Sequence, residues 1–394
     1  MSAFARLHAA GPVPTPASGS DRASTCHSVP FVDLHSLHAP LAGELVGAIT
    51  RVIADSSYVL GPAVEAFEQR FACYVGRRHC VATSSGTAAL HLALLAAGVG
   101  PGDDVVTTPH TWISTAWAIS YCGARPVFAD VDPETGNLDV GAAERALTSR
   151  TRAVVPVDLY GNPAVLPAFE RLGREHGIAV VDDACQAHGS HLGGRMVGSF
   201  GDLSCFSFYP AKNLGGLGEG GAVLTDDDQI AARLRQLRDH GQSRRHRHEE
   251  VGFNYRMDGL QGAVLGVKLA YLDAWNASRR AAALRYEALL GGLPGLRLPT
   301  ATPGAEPNWH LYVVHVRERA RVFDALTSAG IAVGVHYPTP IHRQPVYRSL
   351  GYGEGSLPVA EGLAASCLSL PIHPSITAEQ QALVSSALAR ALAR

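Results

Sequence analysis

The sequence predicts an α/β fold, with a mostly parallel sheet between helices and a smaller α+β domain after it. Three observations support this. Short apolar runs of strand length, at residues 80–83, 104–107, 125–131, 153–157 and 177–181, are separated by stretches with helical spacing. Repeated strand–helix alternation lays strands side by side in parallel, with helices on both faces. The chain has 394 residues, too many for one small core and typical of two domains. Its composition, 46% hydrophobic and 17% charged, is that of a chain that buries much of itself.

The same numbers exclude several classes of partner. A net charge of -2 gives no general attraction to nucleic acid or to an anionic membrane. The only basic cluster, SRRHRH at 243–248, reads as a solvated loop, because a nucleic-acid surface needs more basic area with aromatics beside it. Seven cysteines, at 26, 73, 80, 122, 185, 205 and 367, show no C-x-x-C spacing and sit largely in apolar runs. They read as buried thiols of a reducing cytoplasm. No uninterrupted run of 18 apolar residues occurs, so no membrane span is expected. Residues 1–28, rich in Ala, Pro, Ser and Thr without an apolar core, read as a flexible extension and not as a secretory signal.

In chain order, residues 29–34 form a short extended piece, and 41–53 and 62–74 have helical spacing. The strand at 80–83 runs into Ser84-Ser85-Gly86-Thr87 and an Ala- and Leu-rich helix closed by Gly100 and Pro101. Free N–H groups and the helix dipole make such a turn an anion site, although an ordinary βα turn has the same sequence. Trp112 follows the strand at 104–107; it could stack on a planar cofactor or sit in the core. Asp182 and Asp183 follow the run at 177–181, at the rim where α/β proteins bind ligands. A helix cap with a polar rim is the other reading. Residues 203–209 form a strand ended by Pro210; Lys212 follows, then five glycines between Gly215 and Gly221 and a second apolar run at 222–224. Glycines permit positive φ and close approach, and a desolvated lysine there can act as an amine nucleophile. A solvated hairpin lysine would look the same. Thr225 is a candidate N-cap for a helix with an acidic first turn, running to about residue 238. Residues 264–290 form one long helix or two abutting ones and lead from a large domain, 29–272, into a small one, 273–394. There, strands at 309–316 and 331–336 flank a helix at 322–329. A Pro-, His- and Tyr-rich loop follows, then a strand at 368–372 and a last helix from 377. The histidines lack helical i, i+4 spacing, so no metal site is expected.

The motifs SSGTAALHLAL, DDACQAHG, SFYPAKNLG, GEGGA and GFNYRMD occur in this order over residues 29–392. Together they resemble the DegT/StrS family of sugar aminotransferases, pyridoxal 5'-phosphate (PLP) enzymes of fold type I. The resemblance implies a mixed, mostly parallel seven-stranded sheet. It implies that Lys212 forms the Schiff base with PLP, that Gly86, Thr87 and Ser207 hold the phosphate, and that Trp112 stacks on the pyridine ring. Asp183 matches the partner of the ring nitrogen and Gln186 the contact to the ring oxygen; His188 also matches. Asn254 would bind the phosphate in the partner subunit's site, which makes the enzyme a homodimer with shared active sites. His310, Tyr337 and His342 match positions near substrate. Two residues depart from the pattern: Ala211 stands where Ser or Thr is usual, and Asp158 where His is usual. The implied reaction moves an amino group from L-glutamate to a keto group of a nucleoside-diphosphate-linked sugar. GVKLAYLDAWNASRR and GVHYPTPIHRQP lean toward a 3-keto sugar. A 4-keto sugar, a cyclitol, or a non-catalytic regulator on the same fold are the alternatives.

Overall fold

The computed structural model describes residues 28–393, so the expected N-terminal extension lies outside the described residues except for Ser28. Among these residues seven strands form the central sheet: β1 His79–Thr83, β2 Asp104–Thr107, β3 Arg125–Phe128, β4 Thr151–Val155, β5 Ala179–Asp183, β6 Leu203–Ser207 and β7 Gly221–Thr225. Their order across the sheet is β1-β7-β6-β5-β4-β2-β3. β7 runs antiparallel to both its neighbours, and the other pairings are parallel. Helices cover both faces, which is why the strands are apolar runs without alternation: every residue of β2 and of β7 is buried. One face packs Phe67, Phe71, Phe206 and Phe208; the other packs Leu90, Leu92, Ile119 and Val155.

Local chemistry sets the ends of the helices. Pro62–Val75 opens on proline and closes at Gly76, whose φ of 84° suits a residue without a Cβ. Gly86–Ala96 is apolar all round because it is buried between the sheet and the Ser114–Tyr121 and Asp228–Arg238 helices. The helix Asp228–Arg238 is capped by Asp227, which accepts from the amides of Gln229 (2.7 Å) and Ile230 (2.9 Å). Thr225, the expected cap, is instead the last residue of β7, paired with His79 and donating to the Asp202 carbonyl. Strand pairing claims it before the helix can.

The expected segment 264–290 is two abutting helices, Gly259–Lys268 and Leu272–Leu290, joined by a 3-10 turn at Leu269–Tyr271. A second sheet, β8 Leu296–Arg297, β9 Tyr312–Val316 and β10 Cys367–Leu370, is antiparallel. Tyr286, Val314, Leu326, Leu370 and Val384 form its core with the surrounding helices. The expected strand at 331–336 does not form. Ile331 bridges Val29 while Gly334 bridges Ser369, so the segment crosses between two partners and does not run along one.

Leu34–Ala54 is long and apolar enough, on length and composition alone, to cross a bilayer. Here it is broken by a 3-10 turn at Ala39–Leu41, and Leu41 and Leu45 pack on Val264. Its Glu44 accepts a hydrogen bond from Tyr271 at 2.6 Å.

Candidate active site

A cavity of about 490 Å³ opens where the carboxyl ends of β1, β2, β5 and β6 meet the second sheet. That is the expected place for a ligand in a parallel sheet, and the volume is ordinary for a small-molecule pocket. Gly86, Thr87, Trp112, Asp183, Gln186, Ser207, Lys212, His310 and Tyr337 all line it.

At one end β1 turns into the helix Gly86–Ala96, with Ser85 as N-cap accepting from the Ala88 amide at 3.1 Å. Gly86 and Thr87, the first two helical residues, line the cavity, and the Thr87 hydroxyl lies 2.8 Å from that of Ser114. The turn is packed to contact. A Cβ on Gly86 would lie 2.7 Å from the Ser207 Cβ, and one on Gly221 would lie 2.3 Å from the Ser85 carbonyl oxygen. Free amides, a helix dipole and two hydroxyl side chains suit a phosphate.

Asp183 ends β5, is 4% exposed and also lines the cavity. It accepts from the Thr115 hydroxyl at 2.7 Å and the Cys185 amide at 3.3 Å, and makes no ion pair among the described residues. A buried carboxylate held only by neutral donors is costly unless a cation joins it. Trp112 stands 55% exposed at the rim, its ring centroid 5.6 Å from that of Tyr337. Gln186 accepts from the Tyr160 amide at 2.6 Å and donates to the Tyr337 hydroxyl at 3.2 Å.

Lys212 follows β6 in a loop closed on itself. The Phe208 amide donates to Gly220 (2.7 Å), the Gly216 amide to Phe208 (2.8 Å), and the Lys212 amide to Tyr209 (2.8 Å). The fully buried Lys268 donates to the Gly215 carbonyl and pins the same loop from behind. Burial lowers the pKa of the Lys212 ammonium, with Cys185 and Asp183 opposing. The amine is thereby brought nearer to its nucleophilic, neutral form.

This set fits PLP: an amine for the aldehyde, an unpaired carboxylate for the ring nitrogen, a helix start for the phosphate, and an indole at the rim. Three expected residues lie elsewhere. His342 is sealed outside the cavity, between Phe128 and Tyr352, with Nε2 3.0 Å from Glu361; the 3-10 turn Ile341–Arg343 points it inward. Asn254 is exposed and does not line this chain's own cavity; its side chain accepts from Arg256 at 3.1 Å. His188 lies behind the site against Phe206 and Phe208, and burial holds its pKa down to about 3.

Asp158, the departure from the usual histidine, is buried and turned from the cavity, accepting from the Ala164 amide at 2.7 Å. Its Oδ2 and both Asp182 oxygens have no donor among the described residues. One proton shared between the two carboxyls pairs two of these three oxygens, and burial raises both pKa values accordingly.

Sequence reasoning missed Thr115, Asn213 and Arg279. Thr115 sits four residues after Thr111, at the start of the Ser114–Tyr121 helix, a spacing that could have flagged it. Arg279 falls in the segment 264–290, read from the sequence only as helix. It is in fact 4% exposed, lines the cavity, and donates to the carbonyls of Trp309, His310 and Ile372.

The family model of the DegT/DnrJ/EryC1/StrS aminotransferases matches residues 41–389. A dTDP-3-amino-3,4,6-trideoxy-alpha-D-glucose transaminase of Streptomyces venezuelae is 45% identical over 361 residues, 92% of this chain and 95% of that protein. A UDP-N-acetyl-3-dehydro-alpha-D-glucosamine 3-aminotransferase of Acidithiobacillus ferrooxidans is 41% identical over 93% of this chain and 98% of its own length. The crystal structure of Streptomyces venezuelae DesV, in complex with a ketimine intermediate, superposes with a TM-score of 0.91 at 44% identity, covering 93% of this chain and 99% of that one. Site, fold and full-length similarity agree, and the chain belongs to the DegT/DnrJ/EryC1/StrS aminotransferase family.

Proposed function

We propose that this aminotransferase binds PLP and moves an amino group from L-glutamate to the 3-keto group of a nucleoside-diphosphate-linked sugar. The observation that carries the proposal is the pairing, in one cavity, of a buried amine at Lys212 with a buried carboxylate at Asp183 that has no cation of its own. The preference for the 3-position is supported by the two relatives, one named for a 3-amino sugar and the other as a 3-aminotransferase of a 3-dehydro sugar.

The residues take separate tasks. The amides at the start of the Gly86–Ala96 helix, with Thr87 and Ser207, hold the phosphate. Asp183, oriented by Thr115, keeps the ring nitrogen protonated because an opposite charge favours the charged form. Bound PLP supplies the electron sink that the side chains lack. The Lys212 Nζ, released as a free amine and kept from the charged form by burial, takes the proton from the donor's α-carbon. In the return half it delivers a proton to the sugar carbon that receives nitrogen. Trp112 and Tyr337 cover the rim and restrict water.

Homodimerisation completes the proposal. Asn254 does not line its own cavity, and Tyr58, Val59 and Val251 are large apolar side chains left exposed. Scattered apolar residues need no explanation, so the support for a covered surface is the exposed Asn254, a site residue of the family pattern outside its own cavity.

The test is a single substitution read in two ways. Lys212→Ala is expected to lose the visible absorbance of lysine-bound cofactor and to drop turnover by about a thousandfold or more. Normal turnover by that variant would end the proposal. Product NMR with 3-keto and 4-keto sugar nucleotides offered side by side decides the position, the 3-amino product being expected.

A further inference from the structure

The strongest feature that this mechanism leaves unused is a chain of buried amides ending at His310. We infer that Asn213 fixes His310 in the tautomer whose Nε2 is a bare acceptor facing the cavity. The bound sugar must then present a hydrogen-bond donor there: a hydroxyl beside the ketone. This rests on the amino-transfer reading above and adds a specificity element to it.

The assignment follows from groups whose roles cannot change. A backbone carbonyl only accepts. Asn213 lies 3.2 Å from the Asn308 carbonyl, so the atom facing it is the amide nitrogen, Nδ2. The same nitrogen lies 2.8 Å from Asn276, whose own orientation is set independently: its Nδ2 donates to the His188 carbonyl at 2.8 Å, leaving Oδ1 for Asn213. Two carbonyls therefore agree on which way Asn213 points. Its Oδ1 faces His310 Nδ1 at 3.2 Å and must accept, so Nδ1 carries the proton. A neutral imidazole has one N–H, and Nε2 is left with its lone pair.

The ring is held neutral and in place. Burial lowers its pKa, and the neighbouring Lys212, Arg279, His188 and His336 lower it further. The His310 amide donates to Asn308 Oδ1 at 2.9 Å, and Asn308 Nδ2 donates to the carbonyls of Gln186 and His188, each at 3.0 Å. The backbone on the other side of the ring is thus anchored by the same logic. Nε2 has no hydrogen-bond partner among the described residues. Unlike both ring nitrogens of His188, it is not sealed from solvent. His310 lines the cavity, and with Nδ1 turned to Asn213 the Nε2 edge is the one left to face it.

The consequence is chemical. A ketone oxygen only accepts, so a bare Nε2 cannot polarise it. The groups around it, Lys212, Arg279 and the Tyr337 hydroxyl, can donate. An acceptor that cannot pair with the ketone reads an O–H, and a site built to pair an O–H rejects the analogue that lacks it, because its own polar group is left unpaired.

Two measurements test this. Neutron diffraction from deuterated crystals of the holoenzyme is expected to show a deuteron on His310 Nδ1 and none on Nε2; a deuteron on Nε2 overturns the inference. The second compares kcat/KM for the keto sugar with that for analogues in which each hydroxyl beside the ketone is replaced in turn by hydrogen. One replacement should cost the wild type about tenfold to a hundredfold. In Asn213→Leu that ratio should collapse toward one, whereas Asn213→Asp, which keeps the acceptor and favours the imidazolium, should move the acidic limb of the pH profile upward. A merely structural Asn213 would lower both sugars equally and leave the pH profile in place, which sinks the idea. The neutron result needs no turnover, so failure of the amino-transfer reading and failure of this one are told apart.

Discussion

Gly86 has no room for a methyl group. An added Cβ would press on the Ser207 side chain at 2.7 Å and on its Cα at 3.2 Å, and the latter cannot rotate away. Gly86→Ala should therefore fold, push β6 from the turn, and weaken PLP binding by about tenfold or more, read by cofactor titration. Gly86, Lys212 and Asp183 each stand at the junction of a strand and a turn, which marks itself by composition, and the structure brings all three to one cavity. The sequence could not carry the roles of Asn213 or Asp158. The first depends on carbonyls contributed by distant residues, Asn308 among them. The second depends on a neighbouring strand placing Asp182 beside it. His342 misled for the same reason: a Pro- and His-rich loop says nothing about which side its ring takes.

At the scale of elements, the strands were legible and their ends less so. Apolar runs located every strand of the central sheet, but not that β7 would take Thr225 from the following helix. Asp227 is the working cap, holding two amides. Asp227→Ala should cost about 1 kcal/mol in urea unfolding. Thr225→Ala should affect β7, its hydrogen bond to Asp202 and the one its hydroxyl accepts from the Asp227 amide, and should weaken the helix start less than Asp227→Ala. The segment 331–336 was misread because apolar content alone does not say whether a chain runs along one partner strand or crosses between two.

Over the whole molecule, histidine burial sets the pH response. Burial holds His91, His110 and His336 down to about 4, and His188 and His315 to about 3. Between those values and about 6.5 the unfolded chain binds protons that the native one refuses, so stability falls as pH falls through this window. His110, fully enclosed, alone accounts for up to about 3 kcal/mol. The Asp158–Asp182 pair acts the other way: Asp182 is raised to about 7 and the native form holds the extra proton, so that contribution weakens as pH rises. Five histidines against one shared proton make the net slope positive. Urea unfolding of cofactor-free protein is expected to show a clear loss from pH 7 to pH 4.

The loop that holds Lys212 has both feet in one sheet, where Phe208 exchanges hydrogen bonds with Gly220 and Gly216. Its backbone has no slack, so the reach of the amine is a matter of tether length alone. Lys212→Cys alkylated with bromoethylamine restores a chain of the same number of atoms and should regain turnover. Alkylation with the three-carbon homologue overshoots by one methylene and should not.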